Sequence, residues 1–192
     1  MNRLFKKLIA TVAMATTITI VFVSSPAVAS ESSYQDLSDT KVTVQVYVNN
    51  YGEDFIKNIE FDDGTTVGDY DYTIEYINNI GRDAYYIPEY FEYCAWISRE
   101  DPDGHNISLS LYPKAALRAS DIMRNKGWNV LSDPYGGAAG SSYWPTDTQK
   151  LKTFHWQYDC HYEHANDKVY WNIEPSRSAN SFFSVVLAGC NP

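Results

Sequence analysis

The 192-residue chain has few basic residues, few cysteines and no long apolar run, and each shortage excludes something. Its 15 lysines and arginines are outnumbered by 24 aspartates and glutamates, which gives a net charge of −9. Such a chain repels nucleic acid and anionic lipid headgroups, so binding to nucleic acid through a basic face is excluded. The longest apolar run, at residues 8–23, is about 16 residues, shorter than the ~20 that span a bilayer.

The known reaction motifs are missing as well. The sequence contains no Gly-x-Ser-x-Gly, no P-loop and no dinucleotide fingerprint. Its histidines do not follow the His-Glu-x-x-His spacing of zinc proteases. The sequence therefore holds no pattern diagnostic of a reaction, and we expect no cofactor.

Residues 1–29 have the order of a cleavable secretory signal. Three basic residues precede the apolar run, a serine-proline break follows it, and Ala27-Val28-Ala29 fits the small-x-small cleavage rule. The sequence therefore predicts a secreted, extracytoplasmic protein that begins at Ser30 and has no membrane span after cleavage. The alternative is a membrane anchor, which the short apolar run disfavours.

The acidic residues are concentrated in the first half of the remaining chain. Residues 30–104 contain 17 acidic and 4 basic side chains, whereas residues 105–192 contain 7 and 8. This change in character predicts an acidic, tyrosine-rich β extension at residues 30–82. A separate domain is predicted at residues 83–192.

The hydrophobic pattern predicts an α+β fold with a largely antiparallel sheet and about two helices. Strands are predicted by alternation or by short apolar runs at residues 41–48, 55–61, 70–77, 107–112, 169–173 and 182–187. Helices are predicted at residues 115–126, between Pro113 and Gly127, and at about residues 147–164, after capping-box spacing at Thr146 to Gln149.

Three cysteines allow one disulfide in an exported protein and leave one thiol over. Sequence alone leaves all three pairings open. We predict a bond between Cys160 and Cys190, because it would tie the C-terminus to the second helix. Cys94 would then be a buried thiol within the aromatic run at residues 90–96. The rival pairing, Cys94 with Cys160, would leave Cys190 exposed.

The C-terminal half resembles a known family. The resemblance rests on the segments Tyr93-Cys94-Ala95-Trp96-Ile97-Ser98-Arg99, Ser108 to Pro113, Gln157-Tyr158-Asp159-Cys160-His161 and Lys168 to Arg177, and on the C-terminal Cys190-Asn191-Pro192. These segments resemble the exported bacterial domains grouped as domain of unknown function 2599, over roughly residues 90–192. The resemblance implies a secreted bacterial protein with a self-contained C-terminal domain, and it implies no catalytic residues.

Four charged side chains are the candidates for catalysis. Glu174 would act as the base, His161 as acid or base, and Arg177 with Arg99 would hold an anionic group. The structural alternative, which is the commoner use of such residues, has Glu174 paired with an arginine to fix the turn after a strand.

Metal binding is the less favoured interpretation of two further segments. His161 and His164 lie three residues apart on the second predicted helix and would need a third ligand from elsewhere. Residues 101–106 have calcium-loop composition, but the ligand spacing is wrong. We therefore predict no metal site.

Aromatic residues surround the predicted loop at residues 132–145. Trp128, Tyr135, Tyr143 and Trp144 would bind a sugar ring or a partner protein if they are exposed. The alternative is that the two tryptophans are core anchors at the ends of the loop.

The sequence therefore favours a secreted binding or interaction module at the cell envelope or on an extracellular partner. The expected partner is cell wall, carbohydrate or protein, and not nucleic acid. The alternative is a small secreted hydrolase or toxin that acts on the envelopes of other bacteria.

Overall fold

The computed structural model describes residues 40–61, 63–77, 86–101 and 104–192, without the side chains of residues 101, 104 and 105. All of these residues belong to one compact unit. The predicted signal at residues 1–29 and the predicted domain boundary at residue 83 lie outside the described residues. No helix within the described ranges is both long and apolar enough to cross a bilayer.

The described residues contain five strands and six α-helices. The strands are β1 (Lys41–Asn49), β2 (Asp71–Tyr76), β3 (Phe91–Asp101), β4 (Gly104–Pro113) and β5 (Trp171–Ile173). The helices are α1 (Glu53–Lys57), α2 (Ile87–Tyr90), α3 (Ala115–Arg118), α4 (Asp121–Leu131), α5 (Thr148–His164) and α6 (Phe182–Leu187).

The strands form one mixed sheet in the order β2-β1-β3-β4-β5. β1 and β2 pair in parallel, and the other three pairs are antiparallel. The α+β class is therefore confirmed, but the prediction of about two helices is wrong, and the sheet is not purely antiparallel. The parallel pair arises because the chain between β1 and β2 passes over the sheet through α1, whereas β3 turns directly into β4.

Alternate residues of the strands build two different layers. We call the side packed against α4 and α5 the helix face; it carries Trp96, Leu109 and Leu111, all fully buried. We call the other side the open face; on β1 it carries Val42 and Val44, which pack against α1 and the segment after it. Because successive strand side chains point to opposite sides, one strand contributes to both layers.

Two segments predicted as strands are helices. Of residues 55–61, the first three form the end of α1 and the others belong to no named element. α1 has Glu53 and Asp54 in its first turn and Lys57 in its last, which suits the helix dipole. In residues 182–187 the chain forms α6, because Ser181 caps it: the Ser181 hydroxyl accepts from the Ser184 N–H at 3.1 Å. A short apolar run is compatible with either a helix or a strand. In these two segments the residues at the helix ends favour the helix.

The helix predicted at residues 115–126 is two helices. Ser120 interrupts it and caps α4 by accepting from the Met123 N–H at 3.4 Å. α4 also continues past Gly127, the residue predicted to end it. Gly127 is buried, and a Cβ there would lie 2.6 Å from Leu117 Cδ1, so close packing explains the glycine better than a helix stop does.

The disulfide prediction is confirmed. Cys160 on α5 is bonded to Cys190 at the C-terminal end, with 5.4 Å between their Cα atoms. Cys94 is a free, fully buried cysteine on β3, and burial raises the pKa of its thiol. The bond and the apolar residues around it, including Val185 and Trp156, form a small cluster behind α5.

The sheet extends across the predicted boundary at residue 83. β1 lies between β2 and β3, and it pairs with β3 from Lys41 to Asn49 with one irregularity between Val46 and Val48. The core cluster of the helix face, in contrast, takes all of its buried residues except Val48 from position 87 onward. Independent folding of residues 83–192 stays a prediction.

Candidate functional site

A cleft of about 190 Å³ lies on the open face, over β3, β4 and β5. One wall comes from the segment after α1, with Phe61 and Asp63. The floor comes from the strands, with Arg99, Asn106, Ser108 and Asn172. The other wall is the turn after β5, with Glu174 and Arg177.

The floor is polar because the cover over the open face is short. Ile97 and Ser108 face each other across β3 and β4, and Ser110 faces Asn172 across β4 and β5. α1 has only five residues and covers the valines of β1, so small polar side chains of β4 and β5 remain outside its cover. The cleft is therefore the uncovered half of the open face.

Arg99 joins the floor to the first wall. Its Nη1 donates to Asp63 Oδ2 at 2.7 Å, and its guanidinium carbon lies 4.7 Å from the centre of the Phe61 ring. The Tyr70 hydroxyl lies 3.4 Å from the same nitrogen. A planar cation held by a carboxylate and a ring face has one preferred orientation, so Arg99 is fixed in place.

Asp63 is held in its ionised form. Its Oδ1 accepts from the Thr65 N–H at 3.0 Å and from the Thr65 hydroxyl at 2.6 Å. Burial alone would raise the pKa of Asp63, but the hydrogen bonds from Thr65 and Arg99 outweigh it, and the pKa lies below its usual value. The cleft therefore carries a fixed negative charge on this wall.

The second wall is a turn positioned by α5. The Glu174 carboxylate accepts from Arg177 Nε at 2.5 Å. The buried Gln157 side chain holds the Glu174 backbone at both ends: its Nε2 donates to the carbonyl oxygen at 2.9 Å, and its Oε1 accepts from the N–H at 2.9 Å. This double hydrogen bond fixes where the Glu174–Arg177 pair stands over the sheet.

His161 does not line the cleft. It is buried on α5 beside Trp171, with its Nδ1 2.8 Å from the Gln157 carbonyl oxygen. Burial lowers its pKa to about 4, despite the hydrogen bond to Gln157. The structure thus brings together Arg99, Glu174 and Arg177 of the four predicted catalytic residues and places His161 in the core.

The aromatic loop is divided between several places. Trp128 and Trp144 have ring centres 5.6 Å apart and both pack against Phe154 of the helix-face core. Tyr143 packs on Trp96 at 5.9 Å, and Tyr135 is exposed. The two tryptophans line a shallow hollow and Tyr135 lines another, so the four rings do not form one surface.

Two ion pairs join Arg124 of α4 to Asp159 and Glu163 of α5, and His155 lies beside Asp159. His155 Nε2 lies 3.6 Å from Asp159, which lies 3.7 Å from Arg124, and Arg124 lies 3.5 Å from Glu163. His155 also stacks on Trp128 at 4.1 Å. Within the described residues, no three or more His, Cys, Asp or Glu side chains are arranged so that they could hold a metal ion. The side chains of residues 101–105, where calcium was considered, lie outside the description.

Sequence reasoning missed Asp63, Asn106 and Asn172. Asp63 lies beside Gly64 in a stretch of sequence where nothing local connects it to Arg99. The register pairs Arg99 with Asn106 and Ser110 with Asn172, which requires knowing the strand pairing. Only the alternation within β4 hinted that a polar row lies opposite the leucines.

The fold and the site define an α+β protein with a charged cleft on one side of a mixed sheet. The chain belongs to the family described as Protein of unknown function (DUF2599), whose model matches residues 91–192. This match covers slightly more than half of the chain and confirms the resemblance seen in the sequence. No curated protein and no solved structure matches the chain.

The family match divides the cleft. The floor strands β3, β4 and β5 and the turn with Glu174 and Arg177 lie inside residues 91–192. The wall with Phe61 and Asp63 lies outside them. The Glu174–Arg177 pair therefore lies wholly inside the family region. The Arg99–Asp63 pair has only Arg99 inside it, and Asp63 comes from the N-terminal segment.

Proposed function

We propose that this chain is a secreted bacterial binding module at the cell envelope, and that the cleft is its binding site. One observation carries the proposal: Arg99 converges in one concave site with Glu174 and Arg177, which lie more than 70 residues further along the sequence. Concave sites with a few convergent polar groups are the usual places where proteins bind small ligands or parts of large ones.

The interactions of the predicted catalytic residues favour binding over hydrolysis. Glu174 accepts a short hydrogen bond from Arg177, which favours a fixed charge over a base exchanging protons. A general acid or base must reach its substrate within hydrogen-bond distance, and His161 lies in the core instead. The residues of the cleft thus supply fixed charges, and fixed charges are what recognition requires.

Export is part of the proposal. It is supported by the signal-like order of residues 1–29 and by the Cys160–Cys190 bond, since disulfides form and persist mainly outside the cytoplasm. Intact mass measurement of the protein recovered from outside the cytoplasm should give a chain that begins at Ser30. A chain that keeps residues 1–29, or that remains in the cytoplasm, would contradict export.

The envelope partner is tested by co-sedimentation. The full chain, expressed in a bacterial host that exports it, is mixed with purified cell walls and separately with membrane vesicles. We expect it to bind the walls, and the Arg177→Gln variant to bind at least about tenfold more weakly, because one charge-assisted contact is removed.

The matched control is Lys126→Gln, which removes one positive charge from an exposed position on α4. It should bind as the unchanged chain does. Binding to neither fraction, or equal binding by the Arg177 and Lys126 variants, would overturn the proposal.

A further inference from the structure

The exposed charges of the cleft have opposite sign and stand on opposite walls. In the Arg99–Asp63 pair the arginine side chain is 13% exposed and the aspartate 46%. In the Arg177–Glu174 pair the arginine is 41% exposed and the glutamate 18%. Each pair therefore presents one member to solvent: a carboxylate on the first wall and a guanidinium on the second.

The inner member of each pair positions the outer one. Arg99 and Thr65 hold Asp63 and keep its pKa below the usual range, so it is ionised at neutral pH. Glu174 holds Arg177 at 2.5 Å, and a guanidinium remains charged at any physiological pH. Both exposed charges are thus present and oriented before any ligand arrives.

Size restricts the ligand further. A cavity of about 150 Å³ accommodates benzene, and this cleft has about 190 Å³. It therefore admits a group on the order of ten non-hydrogen atoms. Ile97 on the floor and Phe61 on the first wall offer apolar contacts suited to a short aliphatic side chain.

We propose that the cleft binds an α-amino-acid zwitterion, with its ammonium group toward Asp63 and its carboxylate toward Arg177. This inference rests on the proposed function and names the chemistry of its ligand. The zwitterion occurs as a free amino acid and on a residue that is joined to a cell-wall peptide through its side chain, which leaves its α-ammonium and α-carboxylate groups free; both present the same two charges.

The test is calorimetric titration of the full exported chain with L-valine and with its two single-charge analogues. Isobutylamine keeps the ammonium group, 3-methylbutanoate keeps the carboxylate, and both keep the branched side chain. We expect valine to bind at least about tenfold more tightly than either analogue, since each lost charge-assisted hydrogen bond is worth about that factor. Equal binding of an analogue, or no binding of valine, would overturn the inference.

Charge separation and the two walls are tested with variants and a longer ligand. Asp63→Asn and Arg177→Gln should each weaken valine binding at least about tenfold, whereas Asp71→Asn on β2 and Lys126→Gln on α4 should not change it. Thermal unfolding checks that each variant is folded.

An ω-amino acid such as 6-aminohexanoate should bind more weakly than valine, and tighter binding would overturn the α-amino-acid assignment.

Competition separates this inference from the proposed function and distinguishes the two ligand sources. If valine binds and displaces the chain from cell walls, the wall peptide is the source. If valine binds but the chain does not sediment with walls, the zwitterion assignment holds for free amino acids and the envelope role is wrong. If the chain sediments with walls but valine neither binds nor competes, the zwitterion assignment is wrong and the binding module stands.

Discussion

The two faces of the sheet are built from alternate residues of the same strands, yet one is closed and the other holds a cleft. On β4, Leu109 and Leu111 are fully buried against the helices, whereas Ser108, between Ile107 and Leu109, lines the cleft. The helix face is covered by α4 and α5, which have 11 and 17 residues. On the open face α1 has only five.

This difference teaches where stability and recognition lie in the molecule. The helix face contains stacked aromatic rings, such as Trp96 on Phe154 at 5.8 Å, and a closed apolar layer stabilises mainly by removing its area from water. The cleft side contains ion pairs that are partly exposed, and such pairs add little stability. We therefore expect substitutions on the helix face to change folding, and substitutions in the cleft to change binding.

Removing the N-terminal strands should have the largest effect. The fragment 83–192 keeps the helix-face cluster, whose buried residues apart from Val48 all lie at position 87 or later. It loses the cover over Tyr93 and Ile97 on the open face. We expect a cooperative thermal transition whose unfolding free energy is lower by about 3–6 kcal/mol, at about 1.5–3 kcal/mol for each exposed side chain.

The full exported chain is the reference for this comparison. A fragment without any cooperative transition would show that the helix face cannot fold without β1. A fragment as stable as the full chain would show that the open-face cluster contributes nothing.

Two neighbouring residues of β4 give the sharpest comparison of the faces. Leu109→Ala removes a fully buried side chain from the helix-face cluster and should lower the unfolding free energy by about 2–5 kcal/mol. Ser108→Ala, one residue earlier on the cleft side, should change it by less than about 0.5 kcal/mol. Denaturant unfolding measures both, and equal effects would remove the distinction between the faces.

The disulfide stabilises the layer behind α5. Cys160 and Cys190 are 30 positions apart, and a closed loop of that length is worth roughly 3–4 kcal/mol on the chain-entropy model. The double variant Cys160→Ser, Cys190→Ser should lose about that much in denaturant unfolding. Cys94→Ala is the control, because it leaves the bond intact. Loss of the bond without a change in the unfolding midpoint would show that the cluster around Val185 holds the C-terminus by itself.

The smallest effect is a pH dependence from His161. Its pKa in the folded chain is about 4, below the usual 6.5, so the unfolded chain binds this proton more readily. The stabilising contribution of the neutral imidazole is complete above about pH 6.5 and is lost as the pH falls toward 4. The loss is roughly 3 kcal/mol over that interval at 1.36 kcal/mol per unit.

An NMR titration of the imidazole signals checks this directly, with His161→Gln to assign the resonance. If His161 titrates near pH 6.5, it is accessible to solvent, and its placement in the helix-face layer would be wrong.

Long, regular patterns were predicted well from the sequence, and short ones were not. The alternation over β1 and the capped run of α5 predicted these elements within a residue or two of their observed bounds. Asp147, rather than Thr146, caps α5, by accepting from the Lys150 N–H at 2.9 Å. The runs that became α1 and α6 were too short for periodicity to distinguish helix from strand.

The cleft was only half predicted, for a similar reason. Glu174 and Arg177 lie three residues apart, so sequence could pair them, and Arg99 is predicted to join them in a charged pocket. Asp63 is 36 residues from Arg99, and only the folding of the chain over β3 brings the two together. His161 is predicted to join the same pocket, but α5 buries its imidazole beside Trp171.

Sequence by itself determined the features that depend on neighbouring residues: the family, the α+β class, the strand alternation of β1 and β4, and the long helix α5. The cysteine pairing was also reached, from where the two residues stand relative to α5 and the C-terminus. Tertiary structure alone decided the parallel pairing of β1 with β2, the core position of His161, and the meeting of Asp63 with Arg99 opposite Glu174 and Arg177. The physical reason is that local patterns set which side of an element is apolar, whereas strand order and the length of the covering helices set which polar residues meet.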